Sequence, residues 1–185
     1  MSTRLGLVML ASLALTGASA SATTTQRCRA VADLLSPTLF HAYPAKTAGG
    51  PWRAPDVRFG RPHMYRTLLR RAGKGPPDLA GHYKIVRIGC GAGCVTPTFV
   101  DLATGRVTFE RELGSVEFDD QIDDVPGIDD FRLVHRRDSR LLIVVGLRNE
   151  NETLSGVATY DWGEEHPRLI RFVPRSELCR GKEAR

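Results

Sequence analysis

The chain has 185 residues, a formal net charge of +5 and 42% hydrophobic residues. This length fits one domain with a sizeable core, and the basic excess is modest. The basic residues are dispersed along the chain without an aromatic-interleaved basic stripe, which argues against nucleic acid as a partner. After the N-terminal segment, no apolar run approaches the roughly 20 residues of a membrane-spanning helix, so no membrane span is predicted.

The first 22 residues have the pattern of an export signal. Arg4 provides a positive start, Leu5 to Leu15 is apolar, and residues 18–22 contain A-x-A cleavage sites. This pattern divides the chain into a signal peptide over residues 1–22 and a single exported β-rich domain over residues 23–185. The expected location after cleavage is periplasmic or secreted.

The four cysteines all lie in the part of the chain that is expected to be exported. An even number of cysteines in an oxidising compartment indicates disulfides, and four cysteines allow three pairings. Cys90 and Cys94 enclose a short glycine-rich loop, whereas Cys28 and Cys179 lie near the two ends of the domain. We therefore predict the pairs Cys90–Cys94 and Cys28–Cys179.

Two short N-terminal helices are predicted from the spacing of apolar residues. The first covers Gln26 to Leu35 and is ended by Ser36-Pro37, and the second covers His63 to Ala72 and is ended by Gly73. The intervening stretch, residues 40–62, is rich in proline and glycine, so it is expected to be irregular.

From Tyr83 onward the pattern changes to strands separated by turn residues. The predicted strands are 83–88, 98–102, 106–110, 131–136, 141–145, 156–162 and 168–173. Residues 83–110 resemble residues 140–173 as a weak internal repeat, which is typical of repeated meanders. The expected fold class is mainly β (α+β), with antiparallel meanders in either a propeller-like or a sandwich arrangement.

An acidic stretch over residues 117–130 is the most charged short segment of the chain. Clustered aspartates can supply the oxygen ligands of calcium, which makes Asp119, Asp120, Asp123 and Asp124 weak calcium candidates. The spacing does not match an EF-hand loop, and like-charge runs are usually solvated. A solvated loop is therefore the preferred interpretation, and no metal or other cofactor is predicted.

Candidate catalytic and binding groups are few. His82 and Tyr83 enter the first strand after a Pro-Pro-Asp turn, and Arg66 lies on the second predicted helix, so all three are candidate binding residues. His82 and Arg66 are also the candidates for catalysis, although no triad or nucleophile elbow accompanies them. The C-x-x-x-C spacing of Cys90 and Cys94 differs from the C-x-x-C of thiol oxidoreductases, which favours a permanent disulfide.

Several spaced motifs between residues 63 and 110 carry a resemblance to a known family. They are Tyr65-Arg66-Thr67, Ala80-Gly81-His82-Tyr83, Gly89-Cys90-Gly91 with Cys94, and Asp101 with Thr104-Gly105. This pattern resembles a family of uncharacterised exported proteobacterial proteins. The chain departs from that family in having Asp78-Leu79 for Asn-Phe and a C-x-x-x-C spacing between its cysteines. The resemblance implies a periplasmic setting and carries no activity.

The functional prediction is a non-catalytic binding module that engages a protein or an envelope polymer, as an inhibitor or immunity-type partner does. This prediction is based on the expected export of the chain, the predicted disulfide between Cys90 and Cys94, and the lack of a recognisable set of catalytic residues. The alternative is a periplasmic hydrolase that uses His82 and Arg66 with acids of the 117–130 loop. The hydrolase predicts a concave pocket where His82 and Arg66 converge, and the binding module predicts a flat or convex patch.

Overall fold

The computed structural model describes residues 28–122, 132–163 and 166–179. The predicted signal peptide therefore lies outside the described residues, as do Asp123 and Asp124. Within the described part, the fold is one antiparallel sheet of eight strands with four short helices. The predicted mainly β class is confirmed, and the sheet is open rather than closed into a ring.

The helices and strands follow one another in two groups. The helices are α1 Val31–Leu34, α2 Pro37–His41, α3 Gly60–Met64 and α4 Arg66–Ala72. The strands are β1 Tyr83–Gly91, β2 Cys94–Asp101, β3 Val107–Thr108, β4 Val116–Glu117, β5 Leu133–His135, β6 Leu141–Arg148, β7 Asn151–Trp162 and β8 Pro167–Pro174.

The N-terminal part contains four short helices where two were predicted. Pro37 does not simply end a helix, because it is the first residue of α2, a position where proline loses no hydrogen bond. The second predicted helix starts earlier, at Gly60, and is interrupted at Tyr65, whose backbone leaves the helical region at φ −107° and ψ 18°. The first prediction therefore corresponds to α1 alone, with α2 as an additional helix after it, and the second corresponds to the pair α3 and α4.

The sheet consists of two meanders joined by one very short strand. Its order is β1-β2-β4-β6-β7-β8, with β3 beside β2 and β5 beside β6. Within β4, Val116 pairs with Val95 on one side and Arg148 on the other. Gly146 permits this junction, since it has φ +132° and a Cβ there would lie 2.3 Å from the Glu117 carbonyl oxygen.

The two meanders share one core. The Trp162 ring of β7 lies 5.3 Å from the Tyr83 ring of β1 and 4.0 Å from the Phe99 ring of β2, measured between centroids. All three side chains are almost completely buried. The sheet therefore brings aromatic residues of both meanders together, and these meanders correspond to the two segments, 83–110 and 140–173, that resemble each other in sequence.

Helical segments cover the outer face of each meander. On the second meander, Val31 and Phe40 pack in one cluster with Ile143 and Val157. On the first meander, residues 51–75 form a layer that packs Val57, Leu69 and other apolar side chains in a cluster with residues of β1 and β2. Central strands are thus buried on both faces, which explains the continuous apolar run Leu141 to Val145.

Both predicted disulfides are present. Cys28 bonds to Cys179, with 4.8 Å between their Cα atoms, and Cys90 bonds to Cys94 across the β1–β2 hairpin. Beside the first bond, the amide of Cys179 donates to the carbonyl of Arg29 at 2.9 Å. Among the described residues, no helix has the length and apolar character needed to cross a membrane.

Candidate functional site

The turn that precedes β1 fixes His82 and Tyr83 in place. Ala80 and Gly81 adopt positive φ angles of 49° and 81°. The amide of Ala80 donates to the Ser139 carbonyl at 2.9 Å, and the amide of Gly81 donates to the Arg137 carbonyl at 2.7 Å. A Cβ on Gly81 would lie 2.0 Å from the Lys46 carbonyl oxygen, so only glycine fits. The turn is therefore a rigid entry to the strand.

His82 lies beside a carboxylate that the adjoining turn already uses. Its Nε2 is 3.9 Å from Asp101 Oδ1, beyond hydrogen-bond distance, and the His82 side chain is 30% exposed. Asp101 Oδ1 accepts from the amide of Ala103 at 2.8 Å, and Oδ2 accepts from Thr104 Oγ1 at 2.6 Å. Asp101 thus closes the turn between β2 and β3, and this role accounts for both carboxylate oxygens.

Tyr83 combines a structural position with a neutral phenol. Burial raises its pKa above the usual value of 10.0, and the negative charge of Asp101 raises it further. The phenol is therefore protonated at neutral pH. Because its ring packs against Trp162, Tyr83 belongs to the shared core rather than to an accessible surface.

Arg66 and His82 have separate surroundings. Arg66 is exposed on α4, where its Nη1 donates to the carbonyl of His63 at 3.3 Å. Three clefts lined by described residues have volumes of about 360, 190 and 120 Å³, and neither Arg66 nor His82 lines any of them. None of these contacts or three clefts brings the two candidates together.

The acidic stretch contains one aspartate with a clear structural role. Asp119 is only 6% exposed; its Oδ2 accepts hydrogen bonds from Ser155 Oγ and, at 3.1 Å, from Arg175 Nη1. Asp120 is exposed. Within residues 28–122, 132–163 and 166–179, no group of three or more histidine, cysteine or acidic side chains is placed to hold a metal ion.

The environment of Asp119 lowers its pKa from the usual 3.8. Burial alone would raise it, but the hydrogen bonds from Ser155 and the Gln121 amide, together with the charge of Arg175, outweigh burial. The ionised carboxylate therefore stabilises the fold above the pKa of the unfolded chain. That stabilisation is lost as the pH falls through the lower, folded pKa.

The substitution Asp119→Asn should lower the free energy of unfolding by about 1–3 kcal/mol at neutral pH, because it weakens buried charge-assisted bonds. Urea unfolding should show this difference shrinking as the pH falls below the ordinary aspartate pKa of 3.8 and through the lower pKa of the folded protein. Asp120→Asn is the matched control at an exposed neighbour and should change stability by less than about 0.5 kcal/mol. A difference between wild type and Asp119→Asn that did not vary with pH would contradict the assignment.

The largest charge asymmetry lies in the layer formed by residues 51–75, which we call the basic layer. This segment has seven arginine and lysine residues against one aspartate, a net charge of +6, so the remaining 160 residues together carry −1. All seven cationic side chains are exposed. They are Arg53, Arg58, Arg61, Arg66, Arg70, Arg71 and Lys74.

Most of these cations lack an acidic neighbour. Arg58 forms a bidentate pair with Asp56, with bonds of 3.0 and 2.8 Å, and chiefly this pairing lowers the pKa of Asp56 to about 2. The guanidinium of Arg61 lies 4.2 Å from the centroid of the Phe109 ring. Apart from Arg58, no cation of the layer forms an ion pair with an acid in the described residues. The outer side of the layer is therefore strongly positive.

A shallow cleft of about 360 Å³ opens at the edge of the basic layer. Asp56, Phe59 and Pro62 of the layer line the cleft, together with Thr104, Arg106 and Val107 at the β2–β3 turn. Two backbone bonds link the layer to this turn: the amide of Arg53 donates to Leu102, and the amide of Asp56 donates to Gly105. Phe59 is 81% exposed at the cleft.

No protein-family model, curated protein or solved structure matches this chain. The family resemblance of the spaced motifs therefore stays a prediction. Three of those motifs have structural roles here: Gly81 permits the strand entry, Asp101 closes a turn, and Cys90 pairs with Cys94.

Sequence reasoning did not single out the basic layer. Counted along the whole chain, the basic residues look dispersed. Arg66 is the only cation of the layer among the predicted binding residues. A net-charge count in a window of 25 residues gives the signal, since residues 51–75 carry more positive charge than the complete chain.

Proposed function

We propose that the protein is a non-catalytic binding module of the periplasm or the secreted fraction, with the basic layer as its binding surface. Its partner is an acidic protein or an anionic envelope polymer. The charge of the layer is the observation that carries this proposal: six exposed cations have no acidic partner among the described residues. The two disulfides are typical of a protein outside the reducing cytoplasm. The proposed cleavable signal peptide over residues 1–22 would direct its export.

The packing of the layer supports a rigid binding surface. Val57 and Leu69 are buried on its inner side, in one cluster with Val86 and Val100 of the sheet. Gly73 lies so close to Pro55 that a Cβ there would approach the proline ring to 2.6 Å. A layer held in this way presents its charges without first having to order them, which reduces the entropic cost of binding.

Binding to the basic layer should depend on its own charges and weaken with salt, because the interaction is between exposed opposite charges. Isothermal titration with polyglutamate, and separately with alginate as an anionic polysaccharide, measures this. Arg70→Glu combined with Arg71→Glu should raise the dissociation constant by about tenfold or more.

The matched control reverses two exposed arginines away from the layer, Arg137 and Arg171, with the same change in net charge. This variant should bind within about twofold of wild type. Equal losses of affinity in the two variants would show that the probes are attracted by the overall charge of the protein and not by the basic layer. If neither probe bound the wild-type protein, the proposal would be wrong.

A further inference from the structure

We infer that the basic layer docks onto the surface of an anionic lipid bilayer, with Phe59 and Met64 inserted between the headgroups. The inference rests on the proposed role of the layer as the binding surface, and it adds an anionic bilayer to the anionic partners proposed above. It starts from the two large hydrophobic side chains that are most exposed in the described residues. Phe59 is 81% exposed and Met64 is 72% exposed, and they flank the short helix α3 within the layer.

These two side chains are not part of the core that holds the layer in place. Val57 and Leu69 provide the apolar contact with the sheet, and the folded chain leaves Phe59 and Met64 in water. Single exposed apolar side chains are common on protein surfaces. Here the two most exposed ones lie within a segment of seven cations, and this combination is what indicates the chemistry of the partner. The partner must combine negative charge on its outside with apolar material directly beneath it.

An anionic bilayer has this combination. Basic residues are attracted to its negative surface, while aromatic and apolar side chains enter the boundary between headgroups and acyl chains. The centre of a protein interface is typically closely packed and shape-complementary. Here the apolar contribution is two separate side chains, and the cations extend over the whole layer from Arg53 to Lys74. A fluid surface accommodates that arrangement without shape complementarity.

The cleft beside Phe59 adds a place for a headgroup. Arg106 and Thr104 line it together with Phe59, and Arg58 neutralises the one carboxylate in its wall, Asp56. The positive charge of Arg106, one of the lining residues, would attract a phosphate group into the cleft, while Phe59 extended toward the acyl chains. Charged and apolar contacts would thus act on neighbouring parts of one lipid molecule.

Co-sedimentation with vesicles of equal parts phosphatidylglycerol and phosphatidylcholine tests this inference, with vesicles of phosphatidylcholine alone as the neutral control. Wild type should bind the anionic vesicles at least about tenfold more strongly than the neutral ones. Phe59→Ser combined with Met64→Ser should weaken binding to the anionic vesicles about ten- to hundredfold, since both insertions are lost. The matched control is Leu169→Ser on β8, where the side chain is 43% exposed, and it should bind like wild type.

Polyglutamate titration separates this inference from the proposed function. The Phe59→Ser, Met64→Ser variant should keep wild-type affinity for polyglutamate, because its charges are unchanged. Binding of polyglutamate without binding of anionic vesicles would overturn the lipid inference and favour an acidic protein as partner. Vesicle binding without polyglutamate or alginate binding would keep the lipid inference and overturn the proposed polymer partner. Equal vesicle binding by wild type and the double serine variant would exclude insertion.

Discussion

Replacing Cys28 and Cys179 together by serine should lower the free energy of unfolding by about 5 kcal/mol. The two cysteines are separated by 151 positions, so the bond closes almost the whole described domain into one loop. The restriction of the unfolded chain grows with loop length, which makes this the largest stability effect that we expect. Guanidinium unfolding of the oxidised wild type and the double variant measures it.

The second disulfide provides the internal control. Cys90 and Cys94 are four positions apart, and the same chain-entropy argument gives about 2 kcal/mol for their bond. The variant with both Cys90 and Cys94 replaced by serine should therefore be clearly more stable than the Cys28, Cys179 variant. The reverse order would mean that loop closure is not what governs these two contributions.

Trp162→Ala should lower the free energy of unfolding by about 3–5 kcal/mol, the cost of removing a large buried aromatic side chain. The effect is large because Trp162 is 1% exposed and contacts Tyr83 and Phe99, which belong to the other meander. Its removal leaves a cavity at the place where the two halves of the sheet meet. Urea unfolding, monitored by circular dichroism, gives the midpoint of the unfolding transition and the slope of the free energy of unfolding against urea concentration.

The control for Trp162 is Leu169→Ala on β8, a strand at the edge of the sheet. Leu169 is 43% exposed, so its truncation should cost less than about 1 kcal/mol. If Trp162→Ala cost no more than Leu169→Ala, the two meanders would not depend on a shared aromatic core.

Sequence patterns were sufficient where one physical effect determined the structure. The apolar run Leu141 to Val145 predicted a strand correctly, because β6 is buried on both faces. The cysteine pairs followed from loop length and chain ends. In both cases the deciding property, a run of apolar residues or the positions of the cysteines, can be read directly from the sequence.

The start of β2 shows why other elements were missed. The prediction began at Thr98, whereas β2 begins at Cys94 and runs through Pro97. One edge of β2 pairs with β1. Its other edge pairs with β4 at Cys94 and Val95 and with β3 at Phe99 and Val100. Pro97 lies in the gap between these two short partners, where a missing amide breaks no ladder bond on that side. This gap is a property of the sheet as a whole, and local sequence does not contain it.

The predicted site residues differ in their surroundings. Arg66 belongs to the surface that we propose, whereas His82 lies at a rigid turn beside an aspartate that is already hydrogen-bonded. The sequence signal for this surface is the excess of positive charge in residues 51–75. The sequence alone does not show that these residues form one surface. Only the fold shows that residues 51–75 pack as one layer on the sheet and leave all seven cations exposed.

The bond between Cys28 and Cys179 also determines how the protein can be attached to anything else. Both ends of the described domain leave the molecule at one point, with 4.8 Å between the two Cα atoms. Residues beside that point, Val31 and Leu178, pack on the second meander, whereas the basic layer covers the first. A tether, a fusion partner or an immobilising tag at either terminus would hold the molecule by its second half and leave the basic layer open to its target.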